Sequence, residues 1–400
     1  MFKRIILSLL LCSYLSYGES LKEVIDIALE NSPYIKKYYY QIKAVEGELI
    51  DTSGYYNPEL SVEFGRLYSQ TDSAVTLTSF SVMERLRLWG EMDFAINSVK
   101  FKKEAIKYLI DQEKNKLSGE IYKAYYNSLY LKKQLGIKKR ELNLVKAIYR
   151  YVDKSYKAGE IILLDVLRAK RDVELVKVQL KNLEAKYRAS LNNLSALVGK
   201  KIKTVSGNLY DYPRLRKVDL EELPINRYYA LMEKSLSEQV KRQKALGKPQ
   251  VSVGVVADED AVETGKYEFG VAVATTLPIF NKNKGKVIQV LSEKNMLLQD
   301  KKAQFLNYKY TLEAIKSQYN VLRRQIYEID RKVIPQLKEA LVLARKGYKY
   351  GTLTFFEFSS VRKQYFETLM YKAELAYQLH QLYGDYIKVG GFKRWERLYF

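Results

Sequence analysis

Few side chains in this sequence could do chemistry. It holds one histidine, His380, and one cysteine, Cys12. A lone imidazole cannot complete a nucleophile–base pair with its orienting partner, nor a multi-ligand metal centre. His380 also stands in an apolar helical run, so a structural role is expected. Asp258, Glu259, Asp260 and Glu263 bring carboxylates together in one short stretch. Such a group could hold Ca2+ weakly, but it lacks the ligand spacing of a calcium loop. A solvated loop is the simpler reading. No glycine-rich phosphate loop is present. The sequence therefore predicts no catalytic residues, no cofactor and no metal centre.

The elements around these residues must serve another purpose. The formal charge of +22 would suit an anionic partner such as nucleic acid or a lipid surface. The Lys residues are spread along the chain, however, and read as the coat of long solvated helices. No nucleic acid partner is expected. Lys3 and Arg4 precede the apolar run Ile5–Leu11, with small residues at Ser16 and Gly18. This predicts a secretory signal peptide over residues 1–18. Cys12 falls inside it and follows Leu11, which is not small, so no lipid anchor is expected. After residue 18 no apolar run approaches the roughly 18 residues of a transmembrane helix. Entry into a membrane would have to be as a β-barrel.

Helical spacing opens the chain. Val24, Ile27, Ala28, Ile35, Ile42 and Val45 mark one face of a helix over 21–50, ended by Gly54 and Pro58. The period then changes to two. Leu60, Val62 and Phe64 alternate with Ser61, Glu63 and Gly65, a polar loop Ser69–Ser73 follows, and 74–89 alternates again. Two strands of membrane-spanning length form a hairpin over 58–89. A single long helix is expected from Glu91 to about Ala158. Gly159 then breaks it. The returning helix carries a coiled-coil seam at Val166, Ala169, Val173, Val176, Leu180, Leu183, Tyr187, Ser190, Leu194 and Leu197, closed by Gly199.

The same order then recurs. After a linker at 200–218, a helix over 219–246 stops at Gly247 and Pro249. A second hairpin is expected over 249–280, with Val251, Val253 and Val255 on one strand and Tyr267, Phe269, Val271 and Val273 on the other. A second unbroken long helix should run to Gly351, and a weaker seam returns through Phe358, Val361, Tyr365, Leu375, Leu379, Leu382, Tyr386 and Val389. Tyr156-Lys157-x-Gly159 answers Tyr348-Lys349-x-Gly351, and Asp165 answers Glu357. Two internal repeats, 19–199 and 219–391, are expected, followed by a tail at 392–400. Each repeat is a long antiparallel helical hairpin whose tip lies at 156–168 or 348–360.

The fold class is thus mainly α with a small transmembrane β part. Four strands per chain cannot close a barrel, and open edges do not survive in lipid. Two, three or four chains would supply enough strands. Trp89 and Phe280 sit where strands hand over to helices, a level suited to an interfacial aromatic belt.

Together these features resemble the TolC family of bacterial outer-membrane efflux channels, over about Leu21 to Gly391. The resemblance is carried by Leu21-x3-Ile25-x2-Ala28-Leu29-x2-Ser32-Pro33, Asn57-Pro58-Glu59-Leu60, Tyr156-x2-Gly159-x5-Asp165-Val166-Leu167-x-Ala169, Leu197-Val198-Gly199 and Leu277-Pro278-Ile279-Phe280-Asn281. It implies a homotrimer with a 12-stranded barrel in outer-membrane lipid and a helical tunnel in the periplasm. It also implies a passive exit duct of a tripartite efflux pump or type I secretion system. The partners would be a periplasmic adaptor (membrane fusion) protein and an inner-membrane pump of RND or ABC type. Asn57–Leu60 and Leu88-Trp89-Gly90 look more like the heavy-metal and cation branch, that of CzcC, than the drug branch. The chain departs from the family at Ile162 and Thr354, where Ser is common, and at Glu357-Phe358-Ser359.

By this resemblance the adaptor docks at the tips, through Gly159, Ile161, Leu164, Asp165 and Leu167 on the first and Gly351, Leu353, Thr354, Phe355 and Glu357 on the second. The residues point there independently. Ile161, Ile162, Leu163, Leu164, Phe355 and Phe356 place apolar side chains at a hairpin end, and an exposed apolar cluster marks a partner site. Some of them must instead pack the tip. The rival reading is a basic, extended coiled-coil scaffold that binds an anionic polymer. An enzyme is opposed by the lack of converging polar residues.

Overall fold

The computed structural model describes residues 18–67, 75–260, 263 and 265–391. The expected signal peptide up to residue 17, the whole loop Ser69–Ser73 and the tail at 392–400 lie outside the described residues. The described chain is mainly helical, with one small sheet. It divides into two units. One comprises 37–111 and 221–306, the other 1–36, 112–220 and 307–400.

The N-terminal helix is not continuous as expected. It splits into α1 (Leu21–Asn31) and α2 (Pro33–Ser53). Pro33 forces the preceding residue out of helical geometry, and Ser32 takes φ −61° and ψ 125°. Ser20 and Glu23 cap α1 reciprocally: Ser20 N–H donates to Glu23 Oε2 (2.8 Å) and Glu23 N–H to Ser20 Oγ (3.3 Å).

The sheet lies in the first unit. Strands β1 (Glu59–Leu67), β2 (Val75–Arg85), β3 (Gln250–Glu259) and β4 (Tyr267–Thr276) pair antiparallel in chain order. The register sets Leu60 opposite Val82, Val82 opposite Val255, and Val255 opposite Val271. One face is therefore apolar. Phe269 is 85% exposed and Val271 is 82% exposed on it. The other face carries Ser61, Ser81, Gly254 and Ala272. One row across all four strands reads Glu63, Ser79, Asp258, Glu268. The outer edges, β1 and β4, have no strand partner among the described residues.

Helix α3 (Glu91–Lys157) has the expected length, 67 residues. Its start is fixed by Glu91, whose carboxylate accepts from Arg87 Nε and from Arg242 Nε at 2.8 Å each. Burial alone would raise the Glu91 pKa, but the two guanidiniums outweigh it and hold it below the usual value. Arg242 belongs to α5 (Pro224–Leu246), which follows α4 (Leu163–Val198) and the linker. Trp89 takes φ 62° and its indole N–H donates to Pro249 O (2.8 Å), while Phe280 stands fully out in solvent.

The second long helix departs from expectation. It divides into α6 (Lys284–Glu328), a π-helical turn (Ile329–Val333) and α7 (Ile334–Lys349). The cause is Pro335, which has no N–H to donate and whose ring crowds the carbonyl four residues back. A one-residue π insertion just before it absorbs the mismatch. The chain ends its described course in α8 (Phe355–Gly390).

In the second unit α3 and α8 approach closely. A Cβ on Gly119 would lie 2.6 Å from Gly384 O, and one on Gly384 would lie 3.0 Å from Gly119 O. Beside this crossing lies an aromatic core. His380 is fully buried and stacked on Tyr126 at 3.6 Å between ring centres. Its Nε2 is 2.9 Å from Leu209 O and its Nδ1 is 2.8 Å from Tyr122 Oη. A carbonyl only accepts, so Nε2 carries the hydrogen and the Tyr122 hydroxyl donates to Nδ1. His380 thus has the structural role expected of it.

Candidate functional site: the paired helical tips

Both tips belong to the same unit and share one core. The first is made where α3 stops. Gly159 adopts φ 77°, which an L side chain rarely tolerates, and Glu160 N–H closes the turn onto Ser155 O (2.9 Å). Helix α4 starts after Ile162, whose carbonyl accepts from Asp165 N–H at 3.1 Å. The second tip repeats this chemistry at Gly351 (φ 76°), where Thr352 N–H donates to Gly347 O at 2.9 Å. Its returning helix has a full capping box. Thr354 N–H donates to Glu357 Oε2 (2.8 Å), and Glu357 N–H donates to Thr354 Oγ1 (3.2 Å). The bond from the Thr354 backbone is the main cause that lowers the Glu357 pKa.

The shared core unites Ile148, Val152, Val166 and Ala169 of the first hairpin with Ala344, Tyr348, Phe355 and Phe358 of the second. Tyr348 stacks on Phe358 at 5.8 Å and meets Phe355 edge-on at 5.6 Å. Burial, reinforced by the Asp165 charge, raises the Tyr348 phenol above its ordinary range.

The expected docking residues divide accordingly. Leu164 and Leu167 are exposed, as are Gly159, Gly351, Thr354 and Glu357. Thr354 and Glu357 are also committed to the cap. Ile161 and Leu353 are half-buried against the shared core, and Asp165 pairs with Arg168 at 3.3 Å. Phe355 is only 3% exposed, while its neighbour Phe356 is 72% exposed. Ile162, Leu163 and Tyr350 also stand exposed. Tyr350 escaped the sequence reading, although its place beside the tip glycine was a signal. Also missed was a buried ion pair behind the tips, Asp172 with Arg362, 2.8 Å apart. Among the described residues no group of three or more His, Cys, Asp or Glu could hold a metal ion.

Residues 24–200 match the Outer membrane efflux protein family. Over these residues the chain is similar to that family. The proteins it resembles are outer-membrane efflux proteins of the TolC type. A curated relative is the cobalt-zinc-cadmium resistance protein CzcC of Cupriavidus metallidurans, 19% identical over 341 residues, which cover 82% of this chain and 79% of the relative. The crystal structure of CusC superposes with a TM-score of 0.79 at 16% identity, covering 95% of this chain and 94% of that one. The open-state MtrE outer membrane channel of Neisseria gonorrhoeae does so with a TM-score of 0.76 at 16% identity, over 93% and 89%. At such identities the superpositions show the fold. That fold is the expected one, mostly helical with a four-stranded antiparallel sheet.

Proposed function

We propose that this chain is an outer-membrane efflux channel, the passive exit duct of a tripartite pump, built from three copies of the chain. The observation that carries the proposal is the sheet: four strands, one face apolar, and the β1 and β4 edges unpaired among the described residues. Backbone groups on an open edge find no partner in hydrocarbon. Joining β4 of one copy to β1 of the next three times over gives a closed 12-stranded barrel with its apolar face toward lipid. The repeated element order, strand pair followed by long hairpin, is consistent with two internal repeats within each copy.

The helical hairpins then stand in the periplasm as a tunnel, and their exposed tip residues dock a periplasmic adaptor. Energy comes from an inner-membrane pump of RND or ABC type, because the chain offers no energy-converting chemistry of its own. A metal cation is the favoured cargo. The CzcC relative is described as a cobalt-zinc-cadmium resistance protein, and the polar face of the sheet presents Glu63, Asp258 and Glu268 in one row.

The test is mass measurement and bilayer conductance of the detergent-purified protein. Trimers that conduct after insertion into planar lipid support the reading. Monomers that never conduct sink it. Deleting the gene and comparing sensitivity to divalent cations and to drugs decides the cargo.

A further inference from the structure

The net charge of the chain is not shared between its two units. The unit built from 37–111 and 221–306 holds 22 Lys and Arg against 22 Asp and Glu. The unit that carries the tips holds 46 against 24, so the whole excess of +22 resides there. Within that unit the stretch 112–220 alone has 25 basic residues against 11 acidic.

Six basic residues against one acidic, a net +5, gather where the linker crosses the helices. After leaving α4 at Gly199 the chain runs to residue 217 without regular structure, pinned at intervals. Ile202 N–H donates to Ser195 Oγ (2.9 Å), Lys132 Nζ to Val205 O (2.6 Å), Tyr125 Oη to Ser206 O (2.6 Å), and Tyr386 Oη to Arg216 O (2.9 Å). The apolar side chains of this segment, Ile202, Val205, Leu209 and Pro213, point inward and are buried. The basic ones, Lys200, Lys201, Lys203, Arg214, Arg216 and Lys217, all face solvent.

None of these six has an ion-pair partner among the described residues. Two acids lie along the belt: Glu23 is held by its cap with Ser20 and also feels the Lys200 charge, and Asp211 accepts from Asn208 Nδ2 at 3.3 Å. Further cations stand beside the belt at Tyr210, among them Lys372, which is paired with Asp330. Lys133 lies over the Tyr210 ring at 4.7 Å, and its pKa is lowered by burial and then by the charges of Arg140 and Lys372.

A self-repelling row of this kind is a liability for the isolated fold and an asset for binding a polyanion. Its layout selects among polyanions. The charges follow an extended segment, up to about 3.3 Å per residue, and not a closed pocket, so they match a linear polymer better than a single phosphate. The buried apolar residues leave nothing to insert into a bilayer, which a membrane-surface site would need.

We infer that the belt formed by 200–217 binds the carboxylate-bearing glycan–peptide polymer of the cell wall, which lies in the compartment where the tip unit stands. This rests on the periplasmic placement proposed above.

The test is sedimentation of the full-length, detergent-solubilised protein with purified cell-wall sacculi. Binding at low salt that weakens at 0.3 M salt is expected, since exposed charges are screened at that strength. A K200Q/K201Q/K203Q/R214Q/R216Q/K217Q variant should bind about tenfold more weakly. A control with six substitutions elsewhere in the unit, K170Q/K177Q/K181Q/K338Q/K346Q/K349Q, should bind like the wild type. Equal loss in both variants, no binding by the wild type, or full competition by phosphatidylglycerol vesicles overturns the inference. Protease protection of the tip unit in intact cells, scored separately, shows whether a failure lies in the placement.

Discussion

Asp172 Oδ2 lies 2.8 Å from Arg362 Nη2, and the two side chains are only 6% and 8% exposed. They tie α4 to α8, the returning helices of the two hairpins. Ser359 Oγ donates to the same carboxylate oxygen at 3.1 Å, and Arg171 Nη2 approaches Oδ1 at 2.9 Å. Burial alone would raise the Asp172 pKa, but the two arginines outweigh it and hold it below the ordinary value of 3.8.

Removing one member of this pair should cost far more than removing both. Arg362→Met leaves a buried carboxylate without its main partner and is expected to destabilise by about 3–5 kcal/mol. The double variant Asp172→Asn/Arg362→Met should recover most of that loss. Denaturant unfolding of the three proteins is the measurement. Equal losses in the single and double variants would show that the pair is not coupled. A depressed carboxyl pKa stabilises above the unfolded pKa and loses that contribution as pH falls through the folded value. Asp172→Asn should therefore flatten the stability profile below about pH 4.

The crossing of α3 over α8 depends on two glycines, and substitutions there test packing alone. Gly119→Val and Gly384→Val should each destabilise by about 1–3 kcal/mol or more, because neither helix can retreat without losing its neighbours. Gly136, also within α3, has nothing within 4 Å of a built Cβ. Gly136→Ala should stabilise by about 0.5–1 kcal/mol through helix propensity. Thermal melts of the three variants settle the matter, and a neutral Gly119→Val would contradict the close approach.

The features legible in the sequence were those with a local cause. The period-two runs became strands, Gly159 and Gly351 became left-handed turns, and the seam residues Val166, Ala169, Val173, Val176, Ser190 and Leu194 are buried. Leu180, Leu183, Tyr187 and Leu197 of the same seam are only half-buried. The breaks at Ser32 and at Ile329–Val333 also had local causes, Pro33 and Pro335, and reading for hydrophobic period alone passed over both. What was not legible depends on partners distant in sequence. Asp172 and Arg362 are 190 positions apart, and the segregation of charge appears only once the units are known.

At the second tip, helical phase separates two adjacent phenylalanines. Phe355→Ala removes a buried ring from the shared core and should destabilise by about 3–5 kcal/mol. Phe356→Glu should leave stability within about 0.5 kcal/mol of wild type, as surface changes usually do. On the docking reading, Phe356→Glu combined with Leu164→Glu and Leu167→Glu still abolishes export while trimers persist. Export resistance assays beside melting curves separate the two effects. Normal export by the triple variant would remove the tips from the docking surface.

The two faces of the sheet should differ in what can reach them. Cysteines placed at Phe269 and Val271, on the apolar face, are expected to react with a lipid-soluble maleimide in reconstituted vesicles. Those at Ser81 and Ala272, on the polar face, should react with a charged, water-soluble one. Cys12→Ser supplies a cysteine-free background. The reversed pattern would place the apolar face away from lipid and undo the barrel.

His380 should give the chain a pH dependence in a window of its own. Burial lowers its pKa to about 3, against the hydrogen bond to Leu209 that works to raise it. The unfolded chain takes up a proton near pH 6.5 and the folded one does not. Stability is therefore complete above that value and declines as pH falls toward the folded pKa, by about 1.4 kcal/mol per pH unit. Between about pH 6.5 and 5.5 the contributions of Asp172, Glu91 and Glu357 are nearly constant, so the slope there belongs to His380. His380→Phe should be less stable at pH 7.5 by about 1–3 kcal/mol, because Leu209 O and Tyr122 Oη lose their partner. It should then show almost no further decline to about pH 5.5. A His380→Phe protein with the wild-type slope would mean that the imidazole is already charged in the folded state, and the assigned tautomer would be wrong.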